Sequence, residues 1–200
     1  RQFFSPEGGI YFSLLLRPKQ EIKNAMLITT AAATAVASAI EKFSGRRADI
    51  KWVNDIYIDR KKVCGILTEG ALTAETASLE YAVLGIGINL TEPEGGYPEE
   101  ISATAAAVFG KERVNSKTKA ELIGAVIKNF YGYYENIERR EYMDEYRKRS
   151  FLIGKTVEFL KDGEKHIARV IGIDNDARLE TEENGKRVII GAGEVSVKWK

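Results

Sequence analysis

Residues 51–55, Lys-Trp-Val-Asn-Asp, bring a cation, an aromatic ring, an amide and a carboxylate together within five positions. A lysine held in place beside an indole ring and a polar corner can bind an anion such as a carboxylate or a phosphate. A bare Lys-Trp pair before Asn-Asp is more often an exposed strand end followed by an ordinary turn. The residues that follow decide between these two interpretations.

The segment after this motif predicts a β-hairpin. Apolar and polar residues alternate on both sides of residues 59–62, Asp-Arg-Lys-Lys, and the second run leads into residues 64–69, Cys-Gly-Ile-Leu-Thr-Glu. Such alternation is typical of two strands that share one buried face and are joined by a tight turn. Lys51 lies at the hairpin entrance, on a strand predicted at 49–52, so a regular element positions its ammonium group.

A second candidate element is the strand predicted at residues 80–90. Gly85 and Gly87 are two residues apart and therefore expose bare backbone on the same face of a sheet. Alternating glycines also occur at bulges or where a sheet packs closely on a helix, so the pattern is only a moderate signal. Asn89 ends the same face with an amide that can donate and accept hydrogen bonds. We expect a flat ligand to contact this face.

Taken together, residues 51–55 and residues 65–69, Gly-Ile-Leu-Thr-Glu, resemble the signature of the biotin protein ligases (biotin–acetyl-CoA-carboxylase ligases). Residues 5–18 and residues 85–90, Gly-Ile-Gly-Ile-Asn-Leu, stand in the order of that family, and the resemblance covers essentially the whole chain. It implies that ATP activates biotin to biotinyl-5′-AMP. A lysine of a biotin carboxyl carrier protein, part of acetyl-CoA carboxylase, would then receive the biotin.

The resemblance also implies roles for individual residues. Lys51 would be the catalytic cation, which contacts the carboxylate of biotin and then the acyl-phosphate bridge of the adenylate. The other residues implied at the biotin and adenylate site are Gly65, Gly85, Gly87, Asn89, Arg1, Phe3, Asn54 and Asp55. The family usually has Trp at the Phe3 position, and Phe3 and Phe4 can either line an adenine pocket or pack in the core. Mg²⁺ is implied by the triphosphate, but its ligands are not identified.

The start of the chain matches only the end of a family segment. Arg1 resembles the last residue of a loop rich in glycine and arginine that folds over the adenylate in the family, and the chain does not open on Met. We therefore expect this sequence to be a fragment of a larger protein, with part of the biotin pocket and most of the lid upstream. Val53 replaces a proline common in the family, and we expect little effect from this change.

The elements that must position these residues predict an α+β fold. A strand is predicted at 9–17, and helices are predicted at 25–43, 102–110 and 138–149. Thr118 and Glu121 form a predicted capping box, which marks the start of a further helix. Combined with the strands above, they predict a mixed, mainly antiparallel sheet backed by helices. The family resemblance implies that this sheet is of the class II synthetase and biotin ligase type.

The pattern changes after Ser150 to short strands with turn signals at Asp162-Gly163 and Asn184-Gly185. Residues 152–157 resemble the start of the C-terminal Src-homology-3-like domain of bacterial-type ligases. The sequence therefore predicts two domains. Residues 1–150 would form the catalytic domain without its N-terminal part, and residues 151–200 would form a small Src-homology-3-like β-barrel.

Composition limits the possible classes of function. The 30 basic and 29 acidic residues nearly cancel, so no global field favours nucleic acid or a membrane, and anions must be bound locally. One cysteine and one histidine exclude an internal disulfide and a Cys/His zinc cluster, which fits a reducing, cytoplasmic location. The uncharged segment 24–40 is shorter than the roughly 20 apolar residues of a membrane span, and we expect it to be a buried helix.

Two alternatives stay open. A lipoate ligase or octanoyl transferase shares this fold and chemistry, but the transferase uses a cysteine, and Cys64 lies in an apolar strand typical of the core. The other alternative is a biotin-sensing transcriptional repressor, or a bifunctional protein, with a helix-turn-helix domain upstream. DNA is an expected partner only in that case. A homodimer is also expected from the family.

Overall fold

The computed structural model describes residues 4–18, 25–75, 78–161, 164–191 and 198–199. Within these ranges the chain forms two five-stranded sheets and a set of helices. All strand pairs in both sheets are antiparallel, and the parallel contacts are isolated bridges. The α+β class and the antiparallel sheet are thus confirmed. The predictions on Arg1, Phe3 and the Asp162-Gly163 turn lie outside the described residues.

The first sheet has the strand order β1-β5-β4-β3-β2. Its strands are β1 (Ile10–Leu16), β2 (Asp49–Lys51), β3 (Asp55–Ile58), β4 (Lys61–Leu72) and β5 (Leu79–Ile88). The predicted hairpin is present as β3 and β4. Its two turn residues, Asp59 and Arg60, have φ angles of 48° and 66°, as a tight two-residue hairpin turn requires.

Helices cover one face of this sheet. Helix α1 (Ala25–Ser44) packs on the strands, and α3 (Ser116–Tyr134), α4 (Met143–Arg149) and a 3₁₀ turn at Ile137–Arg139 pack against α1. The short helix α2 (Glu99–Ser102) does not belong to this layer, because its Ile101 lies near Gly65 and Gly87 of the opposite face. Most small residues of α1 are buried, and the Thr29 hydroxyl on α1 donates to the Thr68 hydroxyl on β4 at 2.8 Å. Helix α1 is long and apolar enough to cross a membrane, but 72% of its most apolar 18-residue stretch is buried inside the fold.

The opposite face of the sheet is open. Strand β5 alternates between the two faces, with Leu84 and Ile86 buried towards α1 and Val83 exposed. On β4, Ile66 is buried while Leu67 is 57% exposed. Gly85 and Gly87 follow the exposed register, so they lie on the open face, as predicted.

The predicted helix at 102–110 is wrong, because only α2 forms, ending at Ser102. The backbone after it bonds instead to the ends of β4 and β5. Lys62 N donates to Thr104 O at 2.7 Å, Ala106 N donates to Lys62 O at 2.9 Å, and Val108 N donates to Asn89 O at 2.9 Å. These non-local hydrogen bonds override the helix propensity of the alanine-rich segment.

Two helix boundaries also differ from the prediction. The N-cap of α3 is Asn115, whose side-chain oxygen accepts a hydrogen bond from Thr118 N at 2.8 Å, so Thr118 lies within the first turn. The charged helix predicted at 138–149 is interrupted at Arg140, which has a φ of 55°. At the break, Arg140 Nε donates to Asn175 O at 2.7 Å, in a turn between two strands of the second sheet.

The second sheet has the order β10-β6-β7-β8-β9. Its strands are β6 (Thr156–Lys161), β7 (Glu164–Ile173), β8 (Leu179–Glu183), β9 (Lys186–Ile190) and β10 (Lys198–Trp199). The Asn184-Gly185 turn joins β8 and β9 as predicted, with φ angles of 50° and 74°. The Src-homology-3 likeness of this sheet and the domain boundary at residue 150 stay predictions.

Direct contacts fix the second sheet to the first. The indole Nε1 of Trp52, the residue after Lys51, donates to Ala177 O at 2.8 Å. Arg147 Nε on α4 donates to Ile173 O at 2.8 Å. Phe151 N donates to Ile50 O at 3.3 Å, so the connecting segment runs beside the β2 edge. The strand that carries Lys51 is therefore held from several sides.

Candidate functional site

Lys51, Asp55, Gly65 and Gly87 lie in one row across the open face of the first sheet. Lys51 is paired with Asp55, Asp55 with Gly65, and Gly65 with Gly87. Directly paired residues project to the same face, and neighbouring strands are about 4.8 Å apart, which places the Lys51 Cα about 10 Å from the Gly65 Cα. The fold thus brings together residues that are far apart in sequence.

Gly85 lies in the next row on the same face, between Ser13 and Leu67. A β-carbon added at Gly85 would lie 3.7 Å from Leu67 O and 3.8 Å from Ser13 Oγ, which is ordinary contact distance. Close packing against a helix therefore does not require glycine at this position. The bare surface above Gly85 is open to a ligand.

A cavity of about 190 Å³ lies at the glycine end of the row. Three predicted site residues line it: Gly65, Gly87 and Asn89. The other lining residues are Phe4, Lys62, Cys64, Tyr97, Ile101, Thr104 and Ala105. Lys51, Gly85, Asn54 and Asp55 lie outside its lining, so the described site has two parts, a cavity and an open strip that leads from it to Lys51.

Asn89 is held firmly in the cavity wall. Its backbone N donates to Val63 O at 2.8 Å, its backbone O accepts from Val108 N at 2.9 Å, and its side-chain Nδ2 donates to Ala106 O at 3.2 Å. Within the described part of the chain, the side-chain oxygen has no hydrogen-bond donor. Asn89 therefore offers a fixed acceptor to a bound molecule.

Tyr97 lines the same cavity. Its hydroxyl is buried and has no hydrogen-bond partner among the described residues. Burial, with smaller contributions from the charge of Glu92 and from Tyr11, raises the pKa of Tyr97 to about 12, so the hydroxyl keeps its proton at neutral pH. Buried polar groups are nearly always hydrogen-bonded in folded proteins, so an unpaired hydroxyl in a cavity wall marks a place for a ligand atom.

Lys62 adds a cation that the sequence did not single out within its basic turn. Its Nζ lies 2.5 Å from Asp55 Oδ1, and the two side chains are 37% and 21% exposed. Asp55 is also the cross-strand partner of Lys51. One carboxylate therefore neighbours two lysines where the row meets the cavity.

Asn54 holds the turn between β2 and β3 in place. Its side-chain Nδ2 donates to Ile66 O at 2.6 Å, and its backbone O accepts from Ile66 N at 3.0 Å. The Tyr146 hydroxyl on α4 donates to Val53 O in the same turn at 3.0 Å. These bonds fix the end of β2 where Lys51 lies, so Asn54 positions the catalytic candidate through the backbone.

Cys64 is unsuited to nucleophilic chemistry. It is 2% exposed, its Sγ donates weakly to Gly65 O, and burial raises the pKa of the thiol well above its ordinary value. Its thiolate is therefore a negligible species at neutral pH. The described residues also contain no group of three or more His, Cys, Asp or Glu side chains that could hold a metal ion.

Comparison with known proteins agrees with this geometry. Residues 1–89 match the model of the Biotin/lipoate A/B protein ligase family. The Bifunctional ligase/repressor BirA of Bacillus subtilis is 31% identical over 201 residues, which cover 94% of this chain and 59% of that protein. The Biotin--[acetyl-CoA-carboxylase] ligase of Mycobacterium tuberculosis is 29% identical over 154 residues, which cover 73% of this chain and 52% of that protein.

Solved structures show the same fold. The biotin protein ligase from Aquifex aeolicus in complex with biotin and ATP has a TM-score of 0.81 and 25% identity, covering 100% of this chain and 82% of the other. Its apo structure gives a TM-score of 0.79 and 26% identity. The chain therefore carries, over residues 1–89, a domain of the biotin/lipoate A/B protein ligase family, as its motifs predicted. Within that family it is similar to the biotin protein ligases, and it spans about 59% of the length of its BirA relatives from Bacillus.

Proposed function

We propose that the full-length protein is an ATP-dependent biotin ligase. It would activate biotin to biotinyl-5′-AMP and transfer it to a lysine of a biotin carboxyl carrier protein. The observation that carries this proposal is the row of Lys51, Asp55, Gly65 and Gly87, which runs into the cavity lined by Asn89. Relatives named as biotin ligases, and one solved with biotin and ATP, support the same function.

In this proposal biotin lies on the open strip of the first sheet. Gly65, Gly85 and Gly87 carry no side chains, so an extended molecule can contact their backbone directly. Its carboxylate would point to Lys51. Arg1 and the residues upstream of it are the proposed source of the remaining biotin contacts and of the lid over the adenylate.

The nucleotide would occupy the cavity. Phe4 and Tyr97 offer aromatic surfaces, Asn89 offers an acceptor, and Lys62 offers a cation for phosphate oxygens. We expect ATP to enter as its magnesium complex, because Mg²⁺ is usually held by substrate phosphates with one or two carboxylates.

The chemistry needs two steps. In the first, a carboxylate oxygen of biotin attacks the α-phosphorus of ATP. The bond between the α-phosphorus and the oxygen that bridges the α- and β-phosphates breaks, and pyrophosphate leaves. Lys51 offsets the repulsion between the two anions, and a fixed group of this kind is worth about 3 kcal/mol of transition-state stabilisation. In the second, the acceptor amine attacks the biotinyl carbonyl and AMP leaves. Neither step needs a nucleophile from the enzyme, which is consistent with the buried, neutral Cys64.

Four further features belong to the same proposal. The second sheet would form a Src-homology-3-like barrel, and the protein would be cytoplasmic, where its one cysteine stays reduced. A homodimer is proposed from the family resemblance. A bifunctional ligase and repressor is the second candidate function, supported by the BirA relatives, with DNA as a partner only if a DNA-binding domain lies upstream.

The test is exchange of labelled pyrophosphate into ATP by the full-length protein and by its Lys51→Ala variant. We expect exchange that depends on biotin and falls by 10²–10³-fold in the variant. Lipoate serves as the control acid. Exchange that depends on lipoate would favour the lipoate ligase alternative, and no exchange with either acid would overturn the proposed adenylation.

A further inference from the structure

A second cavity, also about 190 Å³, lies at the β2 edge of the first sheet. Its lining residues are Asp49, Tyr57, Arg60, Phe151 and Lys155. Tyr57 and Phe151 form its apolar floor in an edge-to-face contact, with ring centroids 5.4 Å apart. Lys155 belongs to the segment that leads into the second sheet, so both parts of the fold build this cavity.

The cavity carries an excess of positive charge. Arg60 and Lys155 are exposed, and neither side chain forms an ion pair or hydrogen bond with any residue that the structure describes. The nearby carboxylates are already paired, since Asp49 accepts from Arg47 Nε at 2.8 Å and Asp59 accepts from Arg46 Nη2 at 2.7 Å. Two cations thus remain without counter-ions beside an apolar floor.

This cavity lies on the same face of the sheet as Lys51. Asp49 is two residues from Lys51 on β2, and Tyr57 is the cross-strand partner of Asp49. Residues two apart in a strand project to the same face about 6.7 Å from each other. A protein that presents a lysine to an intermediate held at Lys51 therefore approaches the face of the sheet that carries this cavity.

We propose that the cavity binds an acidic side chain of the acceptor protein, close to the lysine that receives biotin. The proposal rests on the ligase function above. A carboxylate placed between Arg60 and Lys155 gains two charge-assisted contacts, while its methylene groups pack on Tyr57 and Phe151. Such a contact steers association and orients the acceptor amine, and it takes no part in adenylate formation.

The test uses the full-length protein with both cations reversed, Arg60→Glu with Lys155→Glu. We expect kcat/KM for the carrier domain of acetyl-CoA carboxylase to fall about tenfold or more and to lose much of its salt dependence. Biotin-dependent pyrophosphate exchange should stay unchanged. Transfer of the biotinyl group from the adenylate to hydroxylamine, a small amine without a docking surface, should also stay unchanged, with AMP as the leaving group. A carrier domain with its acidic residue changed to Lys should recover activity with this variant.

The matched control reverses Lys117 and Lys128, two exposed lysines on α3, the helix that packs against α1 away from the open sheet face. Equal carrier kinetics in the two double variants would overturn the docking proposal even where exchange is intact. Loss of exchange in the cavity variant, with the fold retained by circular dichroism, would also overturn it. An unmodified protein without biotin-dependent exchange would instead overturn the ligase function, and the docking proposal with it.

Discussion

The ammonium group of Lys62 lies 2.5 Å from a carboxylate oxygen of Asp55, at the point where the cavity meets the row that leads to Lys51. This ion pair joins the two parts of the site. Asp55 is also opposite Lys51 on the neighbouring strand, so its carboxylate lies close to both Lys62 and Lys51. Lys62 faces the cavity and Lys51 faces the open strip, which assigns them to different substrates in the proposed reaction.

Replacement of Lys62 by Ala should therefore weaken nucleotide binding more than biotin binding. A charge-assisted hydrogen bond contributes about 1.5–3 kcal/mol, so we expect KM for ATP to rise about tenfold or more and KM for biotin to change little. Both constants are measured by pyrophosphate exchange. Lys61→Ala is the matched control, because Lys61 is an exposed neighbour that does not line the cavity. Equal effects of the two substitutions would refute a phosphate contact for Lys62.

Tyr97→Phe should separate ligand binding from stability. The hydroxyl has no partner among the described residues, so its removal leaves no protein group unsatisfied and should not lower the free energy of unfolding. A lost hydrogen bond to the nucleotide should weaken ATP binding by about two- to tenfold. Urea denaturation without ligand and calorimetric titration with ATP measure the two quantities. An unchanged affinity for ATP would show that Tyr97 makes no contact with the nucleotide.

The sequence could predict the elements of the site because their signals are local. Alternation around Asp59 and Arg60 defines the hairpin within about fifteen residues, and glycines two apart define a bare strand face. The row from Lys51 to Gly87 could not be predicted, because it depends on the register of four strands. No local pattern sets the pairing of Gly65 with Gly87.

The cavity wall formed by residues 97–105 was missed for a related reason. Residues 102–110 were predicted to form a helix, and no site residue was predicted in the segment before them. The actual path of the cavity wall is set by hydrogen bonds from Lys62 to Thr104 and from Ala106 to Lys62, which join positions more than forty residues apart. Tyr97 and Ile101, the largest side chains of residues 97–105, were an available signal that this segment contacts another part of the fold.

The support behind β2 is the ion pair between Glu41 on α1 and Arg149 on α4, with 2.7 Å between Oε2 and Nη2. Both side chains also bond the backbone of Ala48, the residue before β2. Burial alone would raise the pKa of Glu41, but the hydrogen bonds from Arg149 and from Ala48 N outweigh it, so the pKa is held below its ordinary value of 4.5. The pair therefore stabilises the fold at neutral pH.

Glu41→Gln should lower the free energy of unfolding at pH 7 by about 2 kcal/mol, because Arg149 is only 11% exposed and loses a charged partner. A carboxylate whose pKa is depressed by folding stabilises the protein above its unfolded pKa and loses this contribution as the pH falls through its folded pKa. The difference in the free energy of unfolding between the two proteins should therefore shrink below pH 4.5.

Urea denaturation at pH 7 and below pH 4 measures this difference, with Glu145→Gln as the control. Glu145 also pairs with Arg149 but is 41% exposed, so its loss should cost about 0.5 kcal/mol. A difference that is the same at both pH values would rule out the charge of Glu41 as its source.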